Sequence, residues 1–245
     1  MLEFMTLENG LALLTLTVLE IVLGIDNVVF ISILTNKLPA SQQDMARRIG
    51  LLMAMAGRIG LLFTISAIMK MHEPLFTLME HEISVHDIIL LIGGMFLIGK
   101  ATMEIHHKLE EPDMKAQKAD KAKAQMLAVL VQIFMLDLVF SMDSVITAVG
   151  MVKHIPVMIT AIIIAVSVMM IFAGPISRFV EGHPTMKMLA LAFLVLIGVV
   201  LVAEGLGQHI NKGYIYFAMA FSFGVELLNL KVRKNRSKTA KLTQS

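Results

Sequence analysis

The stretch Leu19-Glu20-Ile21-Val22-Leu23-Gly24-Ile25-Asp26-Asn27-Val28-Val29 has a counterpart in Leu136-Asp137-Leu138-Val139-Phe140-Ser141-Met142-Asp143-Ser144-Val145-Ile146. Each copy sets an acid, five apolar or small residues, a second acid and then a small hydrogen-bonding residue. Both lie in apolar runs of membrane-spanning length. An ionised carboxylate at the bilayer centre costs roughly 2.5–3.5 kcal/mol on insertion scales, so four without partners would cost roughly 10–14 kcal/mol. Something must offset that cost, and a cation is the simplest candidate.

The surrounding chain supports a membrane setting. Of its 245 residues, 57% are hydrophobic and 16% charged. Soluble domains are near half apolar and about a quarter charged. The expected fold is all-α: a polytopic membrane protein whose apolar segments can each cross a hydrocarbon core of about 30 Å. The chain has no cysteine, which removes disulfides and thiolate metal sites from consideration. No cleavable signal peptide is expected, because the first residues lack the basic start and the small-residue cleavage site.

Hydropathy predicts seven spans, near 11–34, 48–70, 86–106, 125–150, 155–176, 187–207 and 213–231. They group into a first three-helix repeat over 1–107, a polar cytoplasmic linker over 108–124, and a second three-helix repeat over 125–210. A seventh helix over 211–231 and a basic tail over 232–245 complete the chain. With the N-terminus outside, 16 Lys and Arg fall in inner segments against three (Lys70, Lys153 and Lys212) in outer ones. The positive-inside rule then predicts an outer N-terminus and a cytoplasmic C-terminus. Three spans per repeat is odd, so the two acidic motifs enter the membrane in opposite directions. The expectation is an inverted repeat, with a site at the repeat interface.

Residues seven apart lie nearly on one helical stripe. Glu20, Gly24 and Asn27 therefore share a face of span one, as do Asp137, Ser141 and Ser144 on span four. Asp26 and Asp143 sit about 120° away from them on an unbroken helix. Either the helices unwind near Gly24 and Ser141, or the acids line two sides of one cavity. The candidate metal ligands are Glu20, Asp26, Asn27, Asp137, Asp143 and Ser144. Carboxylate, amide and hydroxyl oxygens are hard ligands suited to Mg²⁺, Ca²⁺ and Mn²⁺. The plain alternative is that the acids pair with Arg58 or Lys100 and only fix helix packing.

Arg58, mid-span in Gly57-Arg58-Ile59-Gly60, is read as a counter-ion for the acids when metal is absent. Glu104 and Glu204 hold similar places in spans three and six and are candidate gate groups; the competing reading lets them reach the interface. Lys100 and Glu104, four apart, could neutralise each other. The outer loop holding His72, Glu73, Glu80, His81, Glu82, His86 and Asp87 reads as a solvated acidic loop. The 21 methionines are scattered and read as packing residues. No nucleophile–base pair stands out, so the chain is not expected to be an enzyme.

These segments, with Asp137 to Gly150 and Gly213-Tyr214-Ile215-Tyr216-Phe217-Ala218-Met219, resemble the TerC family of integral membrane proteins. The likeness runs from about residue 8 to about 231. The family is similar to cation exporters built on inverted three-helix repeats; its members are named for tellurite resistance, and several are associated with manganese efflux. The resemblance implies that Glu20, Asp26, Asn27, Asp137, Asp143 and Ser144 are metal-site positions. The function it implies is export of a divalent cation, Mn²⁺ first and Ca²⁺ second, as transported substrate. The alternative is a membrane factor that delivers metal to secreted enzymes, or assembles a resistance complex, without turnover of its own. The expected location is the cell inner (plasma) membrane, and the expected partners are the lipid bilayer and a divalent cation, with no nucleic acid.

Overall fold

The computed structural model describes residues 7–64, 74–78, 81–110, 119–151, 154–208 and 210–242. Seven helices account for nearly all of them: α1 (Leu7–Thr35), α2 (Ala40–Phe63), α3 (Val85–Glu110), α4 (Ala119–Met151), α5 (Ile155–Gly182), α6 (Pro184–Gly205) and α7 (Lys212–Leu242). Helices dominate because a lipid core offers no water to the backbone, so each segment must satisfy its own N–H and C=O groups. Six helices are long and apolar enough to cross a membrane. The exception is α2. Its described part carries Asp44, Arg47, Arg48 and Arg58, and the apolar end of the expected span, 65–70, lies outside the described residues.

Helix ends follow from local chemistry. α5 carries Pro156 in its first turn, and Pro184 opens α6, where a missing N–H costs nothing. α6 stops at Gly207, which takes φ 79°. There Gly207 N–H donates to Glu204 O at 2.8 Å and Gln208 N–H to Ala203 O at 2.9 Å. That pair of bonds is a Schellman closure, and its left-handed residue is nearly free of strain only as glycine. At the start of α3, Ser84 Oγ accepts from Asp87 N–H at 3.2 Å, and Asp87 Oδ2 accepts from Ser84 N–H at 2.9 Å. This capping box was not among the sequence expectations.

A two-stranded antiparallel hairpin, β1 (Pro74–Leu78) with β2 (His81–Ser84), lies between α2 and α3, in the segment read as a plain loop. The segment Leu75-Phe76-Thr77-Leu78 has the aromatic and β-branched character of a strand but is too short to stand out beside the helical runs.

Packing is unequal. α3 lies chiefly on α6, α1 on α5, and α2 on both α4 and α5. α7 touches the rest mainly through α6 and leaves Tyr214, Phe217, Phe221 and Leu228 exposed. Such a surface is the usual lipid-facing one for a span. The core runs through α1, α4 and α5, with Val28, Ile31, Ile33, Leu34, Ile133, Leu136, Val145, Ala165 and Val166 buried.

The α3–α6 crossing is backbone on backbone. A methyl group at Gly94 would lie 2.7 Å from the Gly198 carbonyl oxygen and 2.9 Å from the Val202 nitrogen. One at Gly198 would lie 2.9 Å from the Gly94 carbonyl oxygen and 3.2 Å from the Ile98 nitrogen. One at Gly205 would meet the Asp87 carbonyl oxygen at 2.7 Å. Moving forward along α6 therefore means moving backward along α3: the two helices are antiparallel, and their contacts are reciprocal.

A buried carboxylate–guanidinium cluster

The first acids of the two motif copies meet in the interior. Glu20 on α1 and Asp137 on α4 are 6% and 5% exposed, and Arg58 on α2, at 4%, lies between them. Arg58 Nη1 pairs with Glu20 Oε2. On the other side Arg58 Nη2 donates to Asp137 Oδ1 at 2.7 Å, and Nε to Oδ2 at 3.4 Å. The planar guanidinium suits this role, since its fixed fork engages one carboxylate with two donors and has a donor left for a second. Asn27 Nδ2 adds a bond to Asp137 Oδ1 at 3.1 Å, and Ser141 Oγ one to Oδ2 at 3.1 Å. Asp137 thus receives four described donors and Glu20 one. The formal charge of the three ionisable groups is −1.

The helices deliver these groups without breaking. Both α1 and α4 are continuous through Gly24 and Ser141, so of the two arrangements the sequence left open, unwound backbone there is the one that falls away. Gly24 is small for a packing reason: a side chain there would run into the Met169 sulfur of α5. Ser141 turns its hydroxyl on the Asp137 side chain one turn back. On α2, Gly57 packs against Phe134 of α4, which brings Arg58 close to α4. A pocket of about 10 Å³ sits beside Glu20, lined by Leu16, Leu62, Val145, Met158, Ala161 and Ile162. That is room for about one water and not for a hydrated ion.

Of the six predicted ligands, Glu20, Asn27 and Asp137 come together. The side chains of Asp26, Asp143 and Ser144 lie outside the described residues. Among the described residues, no three acidic or histidine side chains converge on one point. Glu104 does not follow the expected pairing with Lys100 one turn away: its carboxylate is paired with Lys37, beyond the end of α1. Glu204 sits in the last turn of α6, half-buried. In the outer-loop cluster, His72, Glu73, Glu80 and the side chains of His81 and Glu82 lie outside the described residues, while Asp87 serves as the helix cap.

One buried polar contact was not anticipated. Arg47 on α2, 6% exposed, donates from Nη1 to Ser177 Oγ of α5 at 2.7 Å and pairs with Asp44 through Nη2. The only sequence signal was an arginine seven residues after the start of a weakly apolar helix, which reads as a surface group.

Comparison with known proteins places the whole chain. It is 55% identical over 227 residues to a "UPF0053 protein" of Haemophilus influenzae, covering 93% of this chain and 95% of that one. It is 52% identical over 222 residues to the inner membrane protein YgdQ of Escherichia coli, covering 90% and 92%. It is also 52% identical over 223 residues to the inner membrane protein YoaE of Escherichia coli, covering 91% of this chain but 43% of that longer protein. No solved structure matches the chain. The description "Integral membrane protein TerC family" matches residues 5–241, and with that span the chain belongs to the TerC family.

Proposed function

We propose that the protein is an inner-membrane transporter that exports a divalent cation, Mn²⁺ before Ca²⁺. The observation that carries this reading is Arg58, a tethered cation held between the first acids of both motif copies. Removing two carboxylates from water is costly, and their attraction to a buried guanidinium offsets that only with good geometry. Arg58 supplies it in the metal-free protein. A divalent ion can take its place on hard oxygen ligands. On this reading Asp26 and Asp143 complete the ligand set, Asn27 and Ser144 assist, and Glu20 and Asp137 act as ligands or proton carriers. Their roles rest on the sequence repeat.

Helix packing supports the inverted repeat. Exchanging α1 with α4, α2 with α5 and α3 with α6 turns the α1–α5 contact into the α4–α2 contact and leaves α3–α6 unchanged. On this reading the pseudo-twofold axis passes through that crossing, where Gly94 and Gly198 approach each other reciprocally. On this reading α2 also spans the membrane, giving seven spans, with the N-terminus outside and the basic tail in the cytoplasm. Alternating access rocks one three-helix unit on the other.

The test is Mn²⁺ flux into proteoliposomes, with Ca²⁺, Mg²⁺ and Zn²⁺ as competitors. Flux is expected in the native chain and absent from an Asp26→Asn, Asp143→Asn double variant that remains folded. Normal flux in that variant sinks the assignment. Saturable Mn²⁺ binding without flux moves the protein to the delivery-factor reading.

A further inference from the structure

A second polar cavity, of about 210 Å³, opens between the first turns of α2 and the last turns of α5. Its walls carry three arginines, Arg47, Arg48 and Arg178, and one carboxylate, Asp44. Arg47 is buried, fixed by Ser177 and Asp44. Arg48 and Arg178 are exposed and stand in no ion pair among the described residues. The formal charge of the cavity is therefore +2. The three guanidiniums converge: Asp44, before the expected span, is held below the usual carboxylate range by the Arg47 hydrogen bond and charge, with Arg48 and Arg178 adding to it.

The cavity is shaped by backbone as well as charge. Pro175 interrupts α5 from within, so the Ile171 carbonyl loses its usual i+4 donor. Gly174 leaves open space, since a methyl group there would meet only Arg178 Nη1, at 3.6 Å. Beside the arginines, the outer flank of α5 is apolar and bare: Ile171 is 70% exposed and Phe172 54%. On the topology expected from the sequence, both arginine-bearing turns lie at the inner end, together with most of the chain's Lys and Arg.

We propose that this cavity seats the phosphate of an anionic phospholipid headgroup, with the acyl chains lying along Ile171 and Phe172. Guanidiniums match phosphate oxygens in geometry and charge. A net positive cavity at headgroup depth, next to an apolar flank, selects a lipid with net negative charge over a zwitterionic one, as basic pockets between membrane helices do. The apolar flank has no role for free phosphate. The site is separate from the Arg58 cluster and stands whether or not the protein moves metal.

The test uses the full chain, purified in mild detergent and followed by native mass spectrometry. The probes are dioleoylphosphatidylglycerol, dioleoylphosphatidylcholine and inorganic phosphate. One phosphatidylglycerol is expected to stay bound, in clear preference to phosphatidylcholine. Removing both free arginines (Arg48→Ala with Arg178→Ala) is expected to weaken it about 30-fold, at about 1 kcal/mol for each basic group near a membrane surface. Gly174→Leu, which fills the cavity without removing a charge, is expected to weaken it as well. Neutralising Lys231, Arg233 and Lys234 in the tail is expected to leave it bound. No preference over phosphatidylcholine, or unchanged retention in the arginine double variant, overturns the proposal. Release of the lipid by millimolar inorganic phosphate, with equal thermal stabilisation by that anion, overturns the lipid assignment.

Discussion

Two buried contacts sit in the same bundle and solve opposite problems. At the α3–α6 crossing, Gly94 and Gly198 bring two backbones together with nothing charged between them. Where α1, α2 and α4 meet, the interior holds Glu20, Asp137 and Arg58. The first contact has one good packing, because any added atom strikes backbone that cannot yield. The second is held by a long side chain whose charge, on the proposed reading, another cation replaces. A tight backbone crossing and a buried charge cluster make different demands on sequence, and here each demand falls on different helices.

The largest effect is expected where the charges are. Arg58→Leu strands Glu20 and Asp137 in the interior and is expected to destabilise by about 3–5 kcal/mol, the usual cost of breaking a buried ion pair from one side. Adding Glu20→Gln and Asp137→Asn to that variant removes the stranded charges and is expected to restore most of the loss. Reversible unfolding in detergent, compared across the native, single and triple forms, measures both steps. The triple variant should be stable and unable to transport. A loss below about 1 kcal/mol for Arg58→Leu would place the cluster in contact with water, where ion pairs are worth little.

The backbone crossing is next. Gly198→Val must push against the Gly94 carbonyl and Ile98, and overpacking of this kind costs about 1–3 kcal/mol. Gly99→Ala is the control: it lies on α3 near the same crossing, yet nothing stands within 4 Å of the added methyl. It should be neutral or slightly stabilising, since alanine is the better helix former. If both variants unfold alike, the contrast between Gly94–Gly198 and its surroundings is wrong. If Gly198→Val folds but loses flux while Mn²⁺ binding survives, the crossing is the pivot of the transport cycle.

Much of this was legible in the sequence, because both signals are strong in a membrane. Long apolar runs leave helix as the one available conformation, and acids inside them stand out against that background. Arg58 was identifiable for the same reason, as a lone charge mid-span. What sequence alone did not provide was partner choice. Glu104 has Lys100 one turn away but pairs with Lys37, which is distant in sequence and near only because α1 ends beside α3. Arg47 and Ser177 are 130 residues apart. Gly24 was ambiguous for a physical reason: a glycine beside intramembrane acids can mark unwound backbone or a close neighbour, and only the position of Met169 decides which. The reciprocal glycines did leave a trace, Gly198 and Gly205 seven apart on α6 and facing Gly94 and the Asp87–Leu91 turn of α3, but small residues are common in membrane helices.

The smallest effect tests how firmly Asp137 is held. Ser141→Ala removes one of its four donors and leaves Arg58 and Asn27 in place. Side-chain hydrogen bonds within membrane proteins average about 0.6 kcal/mol, so the stability loss should be of that order. Glu20 has a glycine, Gly24, where Asp137 has Ser141, so among other differences the α1 copy has no hydroxyl at this place. Removing that of Ser141 makes the α4 copy resemble the α1 copy here and should loosen Asp137 without unfolding α4. The expected signature is near-native stability with altered Mn²⁺ affinity, read by calorimetric titration beside the unfolding curve. A loss as large as that of Arg58→Leu would mean that the hydroxyl, and not the guanidinium, holds the carboxylate in place, and Arg58 could then no longer be the cation that metal displaces.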